Sequence, residues 1–403
     1  MLGLTAGRLI PTRLRAPLLR AATGLLVPAA RPGWAKPAHG KVTIAGLFSS
    51  PSGIGEGARL AADRFAELGY EVGAIDLTPG LGLPGRLTFG SPAIVRGDIG
   101  GPLIVHLNPP SFQAALLRLL RRHRVERKLI AFWAWELSKA PSGWREAFRL
   151  VHEIWVPSGF VAGAMTRAGC ACPIRVVPHP VRIPPDPPAT SGAASRFTVL
   201  TVFAYDSGFE RKNPLGAIQA FRQAFADDGT ATLLVKTRGR SPSGRAEQRL
   251  RAAVTGAANI QILDGDLATP AYQRLIDSVD VLLSLHRAEG FGIPLAEAML
   301  HGKPVVATGW SGNLEFMSED SACLLPARLV PMVDEEADAY QELAELWAEP
   351  DIATAAAWLR QLRDPALRQR IGRAARRHAA ARLGPAAFGA AARPGLEGQP
   401  GAS

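Results

Sequence analysis

The chain has 403 residues, of which 47% are hydrophobic and 20% are charged, so it can bury the cores of two globular domains and is not disordered throughout. Its net charge is +11, from 46 basic and 35 acidic residues, and no apolar run reaches the length of about 18 residues that a membrane-spanning helix needs. The three cysteines, Cys170, Cys172 and Cys323, are too few and wrongly spaced for a disulfide framework or a zinc site, which predicts a reducing compartment.

A basic extension occupies residues 1–40. Residues 1–55 contain seven Arg or Lys residues and no Asp or Glu, together with Leu-rich patches. This composition is typical of a transit peptide, of an arm that binds a membrane surface, or of an extension without a role of its own. A secretory signal is disfavoured because Pro28 interrupts the only apolar stretch.

Residues 41–180 alternate between short apolar runs and segments with helical periodicity, which predicts parallel βαβ folding and a Rossmann-like domain. Gly69 and Gly169 are placed to end two helices, and Ser158 is placed to begin one. The predicted strands are Val42–Phe48, Glu71–Ile75, Leu103–Asn108, Leu129–Trp135, Glu153–Val156 and Ile174–Val177.

The Pro-rich and Ser-rich residues 181–196 predict a linker, after which the alternation restarts over residues 197–383. The strands predicted for this second Rossmann-like domain are Thr198–Phe203, Thr232–Lys236, Ile260–Leu263, Val281–Leu285 and Val305–Ala307. Ala- and Arg-rich helices are predicted from about residue 334, and residues 384–403 are predicted to be a disordered tail. Doubly wound domains bind ligands at the carboxyl ends of their strands, so we expect site residues just after strands, in a cleft between the domains.

The most informative segment is residues 280–308, where Glu289 and Glu297 are separated by seven residues. Glu289 falls in the loop after a predicted strand, Gly292 permits a close backbone approach, and Pro294 suits the first position of a helix. Free N–H groups at this helix start would attract a diphosphate, and Glu297 is expected in the first turn. The two carboxylates would then accept hydrogen bonds from hydroxyl groups on either side of the diphosphate.

In this segment the sequence resembles the retaining glycosyltransferases of family 4, whose hallmark is the Glu-x7-Glu element. The resemblance covers roughly residues 42–380. It extends to four further motifs, which are Arg211–Pro214, Ser311–Met317, Trp155–Ser158 and Val176–His179. It implies an α/β chain with the GT-B fold, in which two Rossmann-like doubly wound domains face each other across a cleft.

The resemblance also implies residue roles. Glu297 would bind the nucleotide ribose, while Glu289 would hold the donor sugar together with the backbone at Phe291 and Gly292, with Ile293 beside them. Arg211 and Lys212 would stabilise the leaving diphosphate, as fixed cations offset the negative charge that develops there. No metal and no other cofactor is expected, because these groups supply the positive charge.

A glycine-rich turn follows the first predicted strand, with Gly53 and Gly55 placed to approach a phosphate or an acceptor. Together with Asp76 the turn also fits a dinucleotide fingerprint, so an NAD(P)-dependent oxidoreductase is an alternative. That alternative leaves Glu289, Glu297 and the Arg211–Lys212 pair without a role. A turn that serves only packing is a third interpretation.

Acceptor-side candidates end two other strands of the first half, where indole faces can stack on sugar rings and a carboxylate or imidazole can orient a hydroxyl. Core packing is an equally good explanation for the Trp and His residues among them. The candidates are His106, Trp133, Trp135 and Glu136.

A basic run over residues 118–128 follows a Leu-rich helix and suits contact with anionic lipid headgroups, although a solvated helix face explains it as well. Nucleic-acid binding is disfavoured because no aromatic residues interleave this run. We therefore expect a cytoplasmic protein, with the inner face of the plasma membrane as the hypothesis for a peripheral location.

The combined expectation is a metal-independent glycosyltransferase of the hexosyltransferase type. It would transfer a sugar with retention from a nucleotide-sugar to a glycan or lipid-linked saccharide in surface polysaccharide assembly. A catalytically inactive GT-B scaffold module is an alternative from another class. The intact set of Glu289, Glu297, Arg211 and Lys212 argues against it.

Overall fold

The computed structural model describes residues 12–30, 40–122, 127–185, 196–226, 228–241, 243–334 and 345–397. The chain divides into two compact units, with the change from the first to the second at Pro180 and Val181. The first unit also takes in the chain from Pro385 onward, and the second takes in the short segment Glu136–Ser138. Residues 186–195 of the predicted linker, and residues 1–11 and 31–39 of the predicted extension, lie outside the described residues.

The first unit is built on a seven-stranded parallel sheet with the order β3-β2-β1-β4-β5-β6-β7. Its strands are β1 (Lys41–Gly46), β2 (Glu71–Asp76), β3 (Ile94–Arg96), β4 (Leu103–His106), β5 (Leu129–Phe132), β6 (Glu153–Val156) and β7 (Ile174–Val176). Its helices up to the linker are α1 (Thr12–Leu26), α2 (Gly53–Glu67), α3 (Ser111–Arg122), α4 (Arg145–Phe148) and α5 (Gly159–Arg167). The central strands β4, β5 and β6 are buried along their whole length, as helices on both faces of a parallel sheet require.

The predicted helix boundaries in this unit are confirmed. Gly69 follows the end of α2 with a φ of 87°, a left-handed conformation that glycine adopts at little cost. Ser158 precedes α5, and its side chain accepts a hydrogen bond from the N–H of Val161 at 3.4 Å. The extension contributes α1, which lies against the first unit, where the N–H of Ala30 donates to the carbonyl oxygen of Arg149 at 2.9 Å.

The second unit is built on a six-stranded parallel sheet with the order β10-β9-β8-β11-β12-β13, beside an antiparallel hairpin of β14 and β15. Its strands are β8 (Phe197–Ala204), β9 (Ala231–Arg238), β10 (Ile260–Asp264), β11 (Val281–Ser284), β12 (Val305–Thr308), β13 (Cys323–Leu325), β14 (Ala327–Pro331) and β15 (Leu346–Pro350). Its helices are α6 (Phe209–Lys212), α7 (Pro214–Phe225), α8 (Arg245–Val254), α9 (Thr269–Asp277), α10 (Ile293–Leu300), α11 (Ile352–Gln361) and α12 (Pro365–Leu383).

All eleven predicted strands are confirmed, with ends that shift by at most three residues. The prediction of helices from about residue 334 is wrong over Leu346–Pro350, because this segment pairs with β14. The two units are thus both Rossmann-like and doubly wound, which confirms the predicted fold class at the level of each domain.

The predicted disordered tail is wrong for Pro385–Glu397, which form α13. Phe388 and Leu396 of this helix are buried in the core of the first unit, and the rings of Phe388 and Phe65 pack edge to face with centroids 5.1 Å apart. The chain therefore returns to its first unit after completing the second.

Candidate active site

The candidate site lies where the strand order of the second sheet reverses. Neighbouring strands β8 and β11 run parallel there, while their connections leave in opposite directions. A ligand-binding crevice is expected outside the carboxyl ends of such strands. The loop after β8 carries Arg211 and Lys212, and the loop after β11 carries Glu289.

A conformational break after α6 holds the two cations in place. Asn213 has a φ of 50° and caps the next helix, α7, where its side chain accepts the N–H of Gly216 at 3.0 Å. Pro214 then occupies the first turn of α7, where a missing N–H costs nothing. The segment Arg211–Pro214 therefore stops one helix and starts another within four residues.

The two cations and the Glu289 carboxylate form one buried cluster. Lys212 Nζ donates a hydrogen bond to Glu289 Oε1, and Arg211 Nη1 lies 3.4 Å from Glu289 Oε2. Arg211 is 2% exposed, and its guanidinium also donates to the carbonyl oxygens of Ala288 at 2.8 Å and Ser207 at 2.5 Å. The structure therefore brings these three predicted site residues together.

The cluster keeps Glu289 ionised. Burial raises the pKa of the Glu289 carboxyl, but attraction to Lys212, Arg211 and His286 outweighs it and lowers the pKa to about 2. For Lys212, burial is the largest influence and lowers the pKa, while the charge of Glu289 opposes that shift. Glu289 is thus a carboxylate in the folded protein, suited to accept hydrogen bonds from hydroxyl groups.

The backbone of Glu289 is fixed by the loop after β12. The N–H of Glu289 donates to Ser311 Oγ at 2.8 Å, and the N–H of Gly312 donates to the carbonyl oxygen of Glu289 at 2.8 Å. A Cβ at Gly312 would lie 2.0 Å from the carbonyl oxygen of Gly290, so only glycine permits this approach. Ser311 holds a φ of 80°, which is strained for a residue with a side chain.

A buried histidine connects the two loops. His286 has a fully buried ring, with Nδ1 3.0 Å from Ser284 Oγ and Nε2 3.1 Å from Asn313 Oδ1. The amide of Asn313 donates in turn to the carbonyl oxygen of Thr308 at 3.0 Å. Burial lowers the pKa of His286. The ring therefore positions the loops, a role for which its place before the Glu289 loop was the only sequence signal.

The start of α10 carries the remaining donor-side candidates. Gly292 precedes the helix with a φ of 95°, and no side chain caps the helix start. Phe291 is buried against Phe316, with ring centroids 4.9 Å apart, and Ile293 is half-buried. Gly292 and Ile293 thus lie directly after Glu289 at a helix N-terminus, as predicted from the sequence.

Glu297 lies in the second turn of α10, so its predicted place in the first turn is wrong by one turn. It is half-buried in the same unit as Tyr272 and Arg238. Burial and then the charge of Glu297 raise the pKa of Tyr272, while Arg238 opposes that shift. The carboxylate therefore has the hydroxyl of Tyr272 as an electrostatic neighbour, which the sequence did not indicate.

Arg287 is a further site residue that the sequence analysis missed. Its Nε donates to Glu349 Oε2 at 2.6 Å, and its Nη1 donates to the carbonyl oxygen of Glu210 at 2.7 Å. Its backbone N–H donates to the carbonyl oxygen of Arg211 at 2.7 Å. Arg287 therefore ties the loop of Glu289 both to α6 and to the β15 strand.

In the first unit, Gly53 begins α2 and Gly55 lies in its first turn. Ser52 caps the helix by accepting the N–H of Gly55 at 3.2 Å. A Cβ at Gly55 would lie 2.5 Å from the carbonyl oxygen of Leu47, whereas one at Gly53 would meet nothing within 4 Å. Gly55 is thus required for packing, and Gly53 is the open position of the pair.

Asp76, the acidic residue of the dinucleotide alternative, accepts hydrogen bonds from neighbouring side chains of the first unit. Its Oδ2 accepts the hydroxyl of Ser49 at 2.6 Å, and its Oδ1 accepts the hydroxyl of Thr78 at 2.6 Å. Burial raises the pKa of Asp76, but these hydrogen bonds outweigh it and lower the pKa. Both carboxylate oxygens are therefore engaged in bracing the turn.

The structure places the four acceptor-side candidates in different surroundings. Trp133 is fully buried among Phe112, Trp144 and Phe148, so its proposed stacking on a sugar is wrong, because the ring packs in the core. Trp135 is 5% exposed, and its indole N–H donates to the carbonyl oxygen of Lys139 at 2.8 Å.

The other two acceptor-side candidates, His106 and Glu136, also differ in how far they are exposed. The ring of His106 is 2% exposed and stacks on Phe132 with centroids 4.3 Å apart, which favours the core interpretation for this histidine. Glu136 belongs to the second unit and is half-exposed, with Oε1 3.7 Å from Arg211 Nη2. Of the acceptor-side candidates, Glu136 alone reaches the cluster of Glu289 and its cations among the contacts of the described residues.

Two kinds of feature are absent from the residues that the structure describes. No group of three or more His, Cys, Asp or Glu side chains comes together in a way that could hold a metal ion. None of the helices in these ranges combines the length and the apolarity that crossing a membrane requires.

Comparison with known proteins connects this geometry to a family. The model of the family Glycosyl transferases group 1 matches residues 196–348, which include Arg211, Lys212, Glu289 and Glu297. No curated protein sequence matches the chain at a significant level.

Several solved structures resemble this chain in fold over most of its length. HepE of Anabaena, in complex with UDP-glucose, has a TM-score of 0.61 at 15% identity, and the match covers 87% of this chain and 97% of HepE. Sucrose-phosphate synthase from Thermosynechococcus elongatus has a TM-score of 0.60 at 15% identity, over 86% of this chain and 96% of that one.

A third match is a variant of S. aureus TarM in complex with fondaparinux, alpha-GlcNAc-glycerol and UDP. Its TM-score is 0.53 at 12% identity, and the match covers 71% of this chain. The chain spans about half of TarM, since 53% of that protein is covered. Residues 196–348 are therefore similar to the glycosyl transferases group 1 family, and the chain has the GT-B fold.

Proposed function

We propose that this chain is a retaining glycosyltransferase of family 4 that transfers a sugar, of the hexosyl type, from a nucleotide-sugar to a glycan or lipid-linked saccharide in surface polysaccharide assembly. The observation that carries the proposal is the buried cluster of Lys212, Arg211 and Glu289 at the strand-order reversal of the second sheet. Two adjacent fixed cations beside a carboxylate that stays ionised suit a ligand with both a diphosphate and sugar hydroxyl groups.

The donor would bind with its diphosphate near Arg211, Lys212 and the uncapped start of α10. Glu289 would accept hydrogen bonds from the sugar, beside the backbone of Phe291 and Gly292, with Ile293 next to it. Glu297 would accept hydrogen bonds from the ribose. Gly53, where an added Cβ would meet nothing within 4 Å, would let a phosphate or an acceptor approach the start of α2.

Transfer breaks the bond between the anomeric carbon and a diphosphate oxygen, so negative charge develops on the leaving group. Arg211 and Lys212 would stabilise that charge, which in water-excluded surroundings is worth several kcal/mol. Since these residues supply the positive charge, we propose that transfer proceeds without a metal or any other cofactor. No protein nucleophile is assigned, and retention rests on the resemblance to family 4.

The exposed residues of α1 support the proposed contact with a membrane surface. Leu25 is 88% exposed and Leu18 is 51% exposed on this helix, in a segment without acidic residues. Exposed leucines on a helix whose sequence is rich in arginine suit the interface of an anionic bilayer. A cytoplasmic protein at the inner face of the plasma membrane is the location that follows.

A thermal-shift panel on the purified protein, without divalent metal, tests the donor site. The ligands are GDP, UDP, dTDP and ADP, their sugar conjugates, NAD and NADP. A ligand that binds only the folded state stabilises it by about 2.7 kcal/mol at 100 times its Kd. We expect one nucleoside diphosphate family to raise the melting temperature of the wild type and of Lys303→Ala, but not of Lys212→Ala.

Lys303 is the matched control because it is a half-buried lysine of the same unit whose ammonium donates to the carbonyl oxygen of Asp277 at 2.7 Å. A shift with NAD or NADP alone would overturn the proposal in favour of the oxidoreductase. Glu289→Ala should abolish sugar transfer, and a variant that keeps full function in cells would instead indicate the inactive scaffold.

A further inference from the structure

Two cysteines of the first unit face each other at the surface. Cys170 and Cys172 lie in the loop between α5 and β7, and their Sγ atoms are 3.3 Å apart. Both residues are half-buried, and the residues on either side and between them, Gly169, Ala171 and Pro173, are exposed. The pair is therefore open to a small reagent from solution.

The loop is built to keep the sulfur atoms together. Gly169 ends α5 with a φ of 83°, and the N–H of Cys170 then donates to the carbonyl oxygen of Met165 at 3.1 Å. On the other side, β7 fixes the chain two residues after Cys172 by pairing with β6. Both cysteines are thus held between two ordered elements.

The third cysteine provides an internal comparison. Cys323 lies in β13 of the second unit and is 1% exposed. Burial raises the pKa of its thiol to about 12, which leaves it protonated and inert. A reagent that needs a thiolate should therefore distinguish the pair from Cys323.

The hydrogen bond between the two sulfurs shifts their pKa values in opposite directions. The hydrogen bond from Cys172 lowers the pKa of the Cys170 thiol, and the same interaction raises the pKa of Cys172. Interacting thiols of this kind titrate in two steps that belong to the pair. Cys170 is the group that ionises first, which makes it the nucleophile, and Cys172 is the group that can react second.

We propose that Cys170 and Cys172 form a reversible modification site, at which a low-molecular-weight disulfide oxidises the pair to an internal disulfide. The Cys170 thiolate attacks one sulfur of the small disulfide and expels the first small thiolate, which leaves a mixed disulfide on Cys170. Cys172 loses its proton and attacks Cys170 Sγ, which expels the second small thiolate. Two protein thiols are oxidised, one small disulfide is reduced, and the two protons pass to the released thiols.

The proposed disulfide is a reversible modification and not part of a structural disulfide framework, which the number of cysteines excludes. A disulfide between residues two apart closes a very small ring, and exposed or strained disulfides are the easily reduced ones. The pair should therefore cycle with the redox balance around it, independently of the proposed sugar transfer.

Oxidised glutathione is the probe, applied to the reduced full-length protein at fixed ratios to reduced glutathione. Remaining thiols are alkylated, and the digested protein is analysed by mass spectrometry. We expect the loss of two of the three alkylatable thiols, with Cys170 and Cys172 joined in one peptide and Cys323 still reduced. Cys172→Ser should stop at a mixed disulfide on Cys170, and Cys323→Ser should behave as the wild type does.

Three results would overturn the proposal: a pair that stays reduced under oxidised glutathione alone, independent mixed disulfides on both cysteines, or equal modification of Cys323.

Phenylarsine oxide, which bridges adjacent thiols, gives a second measurement that does not depend on oxidation. It should protect both thiols of the wild-type pair from alkylation, but not the single thiol of the pair that remains in Cys170→Ser or in Cys172→Ser. Lack of protection in the wild type would count equally against the site.

Discussion

The backbone N–H of Glu289 donates a hydrogen bond to Ser311 Oγ at 2.8 Å, and Ser311 adopts a φ of 80° at that contact. The loop after β12 thus holds the loop after β11 through a residue in a strained conformation. Such strain costs about 1–3 kcal/mol and persists where the surroundings fix it. The contact connects the fold of the second sheet to the placement of the Glu289 carboxylate.

Two substitutions of Ser311 distinguish the contribution of its hydrogen bond to stability from the cost of its backbone strain. Ser311→Ala leaves the buried N–H of Glu289 without its acceptor and keeps the strained φ, so we expect a loss of about 1–3 kcal/mol in unfolding free energy. Ser311→Gly loses the same bond but relieves the strain, and it should be the more stable variant. Urea unfolding measures both, with Ser278→Ala, an exposed serine of the same unit, as a near-neutral control. Equal stability of the two variants would contradict the role assigned to strain.

The charge of Glu289 should make stability depend on pH in a defined window. Its folded-state pKa of about 2 lies below the ordinary value of 4.5, so its contribution is present above pH 4.5 and lost as pH falls towards 2. The full contribution is roughly 3 kcal/mol at 1.36 kcal/mol per pKa unit. The difference in unfolding free energy between wild type and Glu289→Gln should therefore shrink across that window. A difference that stays constant from pH 5 to pH 2 would contradict the ion-pair account.

Much of this site could be predicted because it follows from the strand order. Arg211 and Glu289 are 78 positions apart in the sequence, yet each follows a buried strand, and β8 and β11 are neighbours in the sheet. Alternating apolar runs identify such strands, and parallel strands bring their carboxyl ends to one edge. The order of the strands therefore explains why residues so far apart in the sequence could be expected in one place.

The errors arose where packing overrides local pattern. Trp133 follows a strand, as a site residue would, and only the structure shows that aromatic rings enclose it. Ser311 adopts a left-handed φ that no sequence rule assigns to serine. The helix α13 contains Gly389, Pro394 and Gly395, which resembles a disordered composition, although Phe388 and Leu396 keep helical spacing.

Arg287 should be a positioning residue for the cations. It joins the Glu289 loop to α6 and to Glu349, and lysine cannot reproduce the forked contact with that carboxylate. If the proposed function holds, Arg287→Lys should lower kcat several-fold with a smaller change in KM, because the cations would lose their alignment. Steady-state kinetics with the nucleotide-sugar selected by the thermal-shift panel measure this, with Arg274→Ala on the exposed face of α9 as the control. An unchanged kcat in Arg287→Lys, or an equal loss in both variants, would argue against the role.

The buried histidines of the first unit should destabilise it in mild acid. Burial lowers the pKa of His179 to about 4 from an ordinary 6.5, so its neutral form contributes stability above pH 6.5 that is lost as pH falls through 4. His106, whose ring centroid is 5.6 Å away, has a pKa lowered in the same direction by burial and by His179. Unfolding free energy should fall less between pH 6.5 and 4 for His179→Gln than for the wild type. Parallel pH profiles would show that His179 does not titrate there on unfolding.

Two glycines of α13 offer a matched test of how this helix packs. A Cβ at Gly395 would lie 2.8 Å from Trp155 Cζ2 and 2.9 Å from Glu153 Oε1, whereas one at Gly389 would make ordinary contacts at 3.5 Å with Leu68. Both substitutions to alanine raise helix propensity by up to about 1 kcal/mol. Gly389→Ala should therefore be neutral or stabilising in thermal unfolding. Gly395→Ala should be destabilising, because it pushes against the 3.0 Å hydrogen bond from the Trp155 indole to Glu153. If both variants melt at or above the wild-type temperature, α13 does not pack on β6 as described.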